Sequence, residues 1–561
     1  MTEATRLDVL ARGWRGRLLA ALIALVAALP GLLALPALDR DEARFAQASA
    51  QMLETGDFVG INFQDAARSQ APVLIHWLQA ASVALVSSAE ARQIWAYRLP
   101  SLLGAMLAAA ACAWGAEALF GALPGLVAGA MLGASMLLST EAALATTDAV
   151  LCGLVTLSMA AFARIYAAGK GEAVIGWRTK LLFWLGLALA ILDKGPVAPM
   201  IAVLALGGLA LWDRGAPWAR SLGWTWGIVL IVAIAGPWAV AITVRTDGGF
   251  WSGAIASDLT AKLAGDGGHF EWPGFHAVLA PLLFFPAAVL LPAAGAEAWS
   301  GRAASGVRVA LTWLVPAWLV FELLPTKLPH DVLPLYGAIA WLAAFALTRP
   351  LAAWSRWTGA GLSLAVGVIL AVAVILVTHR FGAPGDLWLA VLAGALAVAA
   401  GLAGAAVLLT RHGLVALAVA GGLGIAAHAL IFAAVAPRLT PLWTSARIAA
   451  ALEHEKLDPQ GGLTPGPVAV VGYAEPSLVF ALGTETDLGD VGDAADAISN
   501  GSPAVVEQHF GPAFAAELAA DKLKAAPTAV VDGLDYSNSQ PVRLTIYRSL
   551  TPPPKPGPAV P

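Results

Sequence analysis

The sequence has two cysteines in 561 residues. Cys112 and Cys152 both sit inside apolar runs, where a thiol is ordinarily a small buried hydrophobe, so neither a disulfide framework nor a cysteine metal site is expected. Cysteine usage therefore does not reveal the redox compartment. Charge is sparse too: Asp, Glu, Lys and Arg make up 12% of the chain and the formal net charge is -4. Basic residues fall singly between apolar runs, which excludes a nucleic-acid surface. What fills the chain is apolar, with 59% hydrophobic residues and a mean hydropathy of +0.74. A soluble core needs less than this, and the expected class is a mainly α, polytopic membrane protein.

The first apolar run, residues 17 to 36, follows Arg6, Arg12, Arg15 and Arg17 and has no clear small-residue cleavage site after it. A retained first span with a cytoplasmic N-terminus is expected. Further runs at 99–119, 124–139, 143–163, 180–192, 196–212, 222–243, 276–296, 309–324, 332–347, 358–379, 387–410 and 413–436 bring the count to about thirteen. Placing the basic loop Arg164 to Lys180 inside puts Asp213/Arg214/Arg220, Arg302/Arg308, Arg349/Arg356 and Arg411 inside as well. The apolar stretch Pro72–Ser87 breaks this parity, is short, and contains His76 and Gln79. It reads as a juxtamembrane helix at the outer interface, which makes residues 37–98 the first periplasmic loop of a membrane region spanning 1–436. From 437 to 550 the composition turns polar, with short β-type runs at 468–472, 529–531 and 542–547 between helices at 445–455 and 512–522. A small soluble α/β domain on the periplasmic side is expected there, followed by a disordered tail at 551–561.

In this topology the costly polar residues collect on one face: Asp41, Glu42, Arg44, Arg68, Asp148, Lys194, the loop Asp258–His276, and Lys327 with His330 and Asp331. Ionisable groups at helix ends in a membrane must pair, snorkel or line a wet cavity. The cluster Asp39-Arg40-Asp41-Glu42-Ala43-Arg44 is either a solvated helix cap or a site where a carboxylate takes a proton beside an arginine. Lys194 either snorkels or meets a phosphate, and Asp148 is either a helix N-terminal residue or a cavity group. The elbow Pro325–Tyr336 is more specific, since joining two spans requires no cation, imidazole or carboxylate.

Taken in order, DEARFAQASAQMLETGDFV (41–59), APVLIHWLQAASVAL (71–85), RLPSLLGA (98–105), TTDAV (146–150), KGPV (194–197), GPWAVAI (236–242) and TKLPHDVLPLY (326–336) resemble the polyprenyl-phosphate-sugar-dependent glycosyltransferases of the aminoarabinose (lipid A) transferase and protein O-mannosyltransferase family, which has the GT-C fold. The resemblance implies a bacterial inner-membrane transferase with its active site facing the periplasm. It would move a sugar from a polyprenyl-phosphate donor to a lipid, glycan or protein acceptor by inverting single displacement, with no nucleotide cofactor. Asp41 is implied as the base within an Asp41–Glu42 catalytic pair. Arg44 is implied as a phosphate contact, with Asp148 and Lys194 as cavity residues; Arg68, Lys327, His330 and Asp331 join them as candidate substrate contacts. Three positions depart from the pattern. Gln70-Ala71 stands where the family commonly has Glu-Lys, with the Glu linked to a divalent metal, and Asp331 stands where a Tyr is frequent. His269 and His276 are the remaining candidate metal ligands. Two other classes stay open: a lipid or polyisoprenoid-sugar flippase, against which stands the lack of an inverted repeat, and a non-catalytic envelope assembly protein.

Overall fold

Long apolar helices dominate because uninterrupted Ala, Leu, Val and Gly leave no route to satisfying the backbone in a bilayer except the helix. A computed structural model describes residues 8–38, 40–172, 174–255, 271–410, 413–459 and 466–551. The expectations placed on Arg6, Asp39, the loop from Asp258 to His269, Arg411 and the tail beyond 551 concern residues outside these. Eight described helices have the length and composition to cross a membrane: Gly13–Ala34, Ile94–Phe120, Asp148–Gly169, Trp224–Arg245, Ser305–Leu323, Ala353–Phe381, Pro384–Leu409 and Gly413–Arg438. Leu74–Val86, Ala122–Gly133, Val197–Trp212 and Leu333–Ala346 are shorter apolar helices, and Trp177–Lys194 adds 18 residues ending on a lysine.

Several apolar runs are subdivided. The run expected at 276–296 is a helix at Phe275–Leu283, a 3-10 turn at Ala287–Leu290 and a helix at Leu291–Ser300. Pro281, Pro286 and Pro292 remove backbone donors in that stretch and prevent a continuous ladder. The Leu74–Val86 helix has 13 residues, a rise of about 20 Å against a hydrocarbon thickness of about 30 Å. It buries Leu74, Ile75, His76, Gln79, Ala80 and Val83, one face only, as a helix lying on the bundle does.

Helices that position polar groups meet through small residues. A Cβ built on Gly104 would lie 2.6 Å from the Val150 backbone, and one on Gly153 would lie 2.5 Å from the Gly104 carbonyl oxygen. Helices Ile94–Phe120 and Asp148–Gly169 therefore touch backbone to backbone, as membrane helices do where glycine permits it.

The described C-terminal residues form a five-stranded mixed sheet. With β1 (Asn62–Phe63) and β2 (Ala66–Ala67) as a small antiparallel ribbon in the first loop, the sheet contains β3 (Ala469–Val471), β4 (Asp487–Gly489), β5 (Ala504–Glu507), β6 (Ala525–Asp535) and β7 (Gln540–Ser549) in the order β4-β3-β5-β7-β6. β3 runs parallel to β4 and β5, and β7 runs antiparallel to β5 and β6. Helices Thr444–His454 and Gly511–Ala520 flank it. The sheet rests on the first loop. Gln47 donates to the Thr484 hydroxyl at 2.7 Å, Gln64 donates to the Thr484 and Thr486 carbonyls at 3.0 and 2.6 Å, and Arg92 bridges Glu54 and Thr484.

Candidate active site

Asp41 opens helix Asp41–Thr55, preceded by Arg40 at a positive φ of 65°. The Arg40 guanidinium donates to the Tyr536 carbonyl at 3.1 Å, at the tip of the β6–β7 hairpin. The Asp41 side chain is 61% exposed and its Oδ1 lies 3.9 Å from Arg44 Nη1, so the pair faces solvent-accessible space. Arg68, 8% exposed, lies over the Phe45 ring at 4.3 Å. Its Nε and Nη1 have no partner among the described residues. Burial lowers its pKa to about 10, Asp41 opposing and Arg44 adding to that shift, so it remains a cation at neutral pH. Asp41, Arg44 and Arg68 form one electrostatic group.

Glu42 occupies a different environment. One of its oxygens accepts from Arg98 Nε at 2.7 Å and the Ala145 amide at 2.8 Å; the other accepts from Arg98 Nη2 at 2.9 Å and the Leu38 amide at 2.7 Å. Both side chains are fully buried. Arg98 also donates to the carbonyls of Leu32, Leu35 and Pro36. This bidentate pair ties the end of the first span to the loop that leads into Asp148.

Asp148 begins helix Asp148–Gly169, and Lys194 ends helix Trp177–Lys194. Lys194 Nζ donates to Asp148 Oδ1 at 2.6 Å. His330, on the elbow between spans, lies between two carboxylates: Nδ1 is 3.5 Å from Glu141 Oε1 and Nε2 is 3.9 Å from Asp148 Oδ2. Burial pulls its pKa down, but Asp148 and Glu141 outweigh that and lift it to about 9. Asp331 closes the elbow by accepting from the Leu328 amide at 2.7 Å and acts electrostatically on Lys194.

Lys327 and His276 serve the elbow locally. Lys327, 3% exposed, donates to the Glu271 carbonyl at 2.7 Å. His276, 1% exposed, lies 3.0 Å from the Leu328 carbonyl through Nε2 and 3.7 Å from Glu322 through Nδ1. Glu322 in turn accepts from the amides of Gly274 and Ala277 and from the Trp318 indole. Gln70 is exposed and neutral, so its position does not fit a divalent ion in place of the family's Glu.

Sequence reasoning missed Glu141, Asp193 and Arg98. The available signal was an ionisable residue inside an apolar segment, where isolation is too expensive to persist without a partner.

Residues 70–240 match the family model for dolichyl-phosphate-mannose-protein mannosyltransferase. The undecaprenyl phosphate-alpha-4-amino-4-deoxy-L-arabinose arabinosyl transferase of Pseudomonas aeruginosa (strain UCBPP-PA14) is 27% identical over 315 residues, 55% of this chain and 56% of that protein. The enzyme of the same name from Erwinia tasmaniensis is 28% identical over 353 residues, 61% of each chain. The matches thus span somewhat over half the length of these relatives. The crystal structure of ArnT from Cupriavidus metallidurans bound to undecaprenyl phosphate superposes with a TM-score of 0.75 at 21% identity, covering 96% of this chain and 99% of that one. Its apo state gives 0.72 at 22%, covering 97% and 98%. The chain is a multi-pass membrane protein with the GT-C fold of the aminoarabinose transferases, and the family resemblance carried by its ordered segments is borne out.

Proposed function

We propose that this protein transfers a sugar from undecaprenyl phosphate, or a polyprenyl phosphate like it, to an acceptor at the periplasmic face of the bacterial inner membrane. The observation that carries the reading is an exposed carboxylate, Asp41, grouped with Arg44 and the partly unpartnered Arg68 at the exit of the first span. In the transfer, the acceptor oxygen attacks the anomeric carbon as the bond to the phosphate oxygen breaks. The acceptor proton goes to Asp41, while Arg44, Arg68 and Lys194 stabilise the negative charge gathering on the leaving polyprenyl phosphate. Attack from the face opposite the phosphate inverts the anomeric configuration. Glu42 takes no part in proton transfer, because four hydrogen bonds already engage its oxygens; it holds Asp41 in place. No nucleotide takes part. Residues 1–436 form the membrane transferase unit and 437–550 a periplasmic unit seated on its first loop.

The acceptor class is found by mass spectrometry of lipid A, glycans and secreted proteins from a deletion strain. Purified protein in lipid is then assayed with an undecaprenyl-phosphate sugar and that acceptor. Asp41→Asn should lower turnover by roughly 10² to 10⁴; Arg44→Ala and Lys194→Ala should each cost about 1.5–3 kcal/mol of transition-state stabilisation. Near-native turnover by Asp41→Asn, or a product of retained configuration, would overturn the mechanism. A mild Asp41→Asn effect with inversion points to a phosphate acceptor, which is already ionised and needs little base.

A further inference from the structure

The elbow cluster gathers more carboxyl groups than bases. Glu141, Asp148 and His330 each offer one ligand atom, all within 4.8 Å of one another. Behind them lies Asp193, fully buried, with neither carboxylate oxygen partnered among the described residues; its electrostatic neighbours are Asp148 and Lys194. With Asp331, which also acts on Lys194, four carboxyl groups face two bases, Lys194 and His330. A buried carboxyl group without a partner is costly to keep, and Asp193 lies beside Asp148, whose charge a cation would offset.

The spacing leaves room between the partners. His330 stands 3.5 Å from Glu141 and 3.9 Å from Asp148, within ion-pair range but longer than a usual hydrogen bond. Two ligands on one ion, at bond lengths of about 2.1 Å and an angle of about 110°, are separated by roughly 3.4 Å, close to the first of these distances. Lys194 sits on the other oxygen of Asp148, so an ammonium and an ion can share that carboxylate. One imidazole with two carboxylates is a borderline donor set of the kind that takes Mn²⁺ or Zn²⁺.

We propose that Glu141, Asp148 and His330 bind a divalent cation of the Mn²⁺/Zn²⁺ class, with Asp193 as a buried outer neighbour of Asp148. The site itself does not depend on the transferase reading. Its role does: next to Lys194 the ion would add positive charge where the donor phosphate is bound.

The test uses full-length protein in lipid nanodiscs, stripped with chelator and titrated with Mn²⁺ by electron paramagnetic resonance, with Zn²⁺ as competitor. A single tight ion is expected. Glu141→Gln and His330→Gln should each weaken it by more than about tenfold, and Asp193→Asn by a smaller factor, as outer groups do. Asp41→Asn should bind Mn²⁺ like wild type. Monodisperse elution is required of each variant, and Glu141→Asp stands in if Glu141→Gln aggregates. Absence of a tight ion in wild type, or unchanged affinity in Glu141→Gln and His330→Gln, overturns the site. Normal Mn²⁺ binding with no sugar transfer by wild type would sink the transferase reading and leave the site standing.

Discussion

Two adjacent carboxylates in the same helical turn have opposite surroundings. Asp41 is exposed beside Arg44, whereas Glu42 is fully buried against Arg98. Their substitutions should separate accordingly. Glu42→Gln leaves the Arg98 charge buried and poorly compensated, so the thermal transition in lipid or detergent should fall by the equivalent of about 3–5 kcal/mol, while Asp41→Asn should leave it nearly unchanged. His76 gives a second residue-level prediction. Its ring is buried, meets Ser49 Oγ at 3.0 Å, and burial together with Arg68 holds its pKa down at about 3. The unfolded chain would protonate near 6.5. The unfolded state therefore takes up the proton first, so stability is full above about pH 6.5 and is lost as pH falls toward 3. Melting curves should show that loss, and His76→Gln should flatten it. Asp41, Arg44, Asp148 and Lys194 were legible in the sequence because they stand at the ends of apolar runs. Glu141 and Asp193 were not singled out, because their significance lies in neighbours that only the fold brings near.

At the level of helices, the sequence set out the apolar runs well and their interruptions less well. The Lys194 helix, Trp177–Lys194, lies close to the expected 180–192, whereas the run expected at 143–163 opens as a non-helical turn and its helix is Asp148–Gly169. The run at 276–296 carries no polar residue to mark its breaks, which fall at Pro286 and Pro292, while Pro281 lies inside the first helix. Helix packing partners were not legible. Gly104 and Gly153 turn out to face each other one turn into the helix that begins with Asp148. Gly104→Val should push that helix outward and misplace Asp148. A displacement of about 1 Å can cost on the order of 10² in rate, so turnover should drop sharply in protein that still elutes as a folded species. Gly361→Ala, on a glycine with open space around it, should match wild type in the same assay.

For the molecule as a whole, the β-type runs at 468–472, 529–531 and 542–547 became β3, β6 and β7, while β4 and β5 went unread. β5 is four residues long and wholly buried, too short for alternation to register. The proposed outward orientation of both the first loop and this sheet predicts that single cysteines at Ser88 and Glu517, both exposed, react with an impermeant reagent from the periplasmic side. Cys112 and Cys152 are buried, so the background should be low. Protection of either introduced cysteine would reverse that orientation. The sheet and the first loop also share a part: helix Asp41–Thr55 carries the candidate base at one end and, through Gln47 and Glu54, the Thr484 junction at the other. A body held at both ends conveys restraint. Donor bound against Asp41 should slow amide exchange around Thr484 and Thr486, so a remote peptide becomes a gauge of donor occupancy that needs neither a labelled lipid nor a known acceptor.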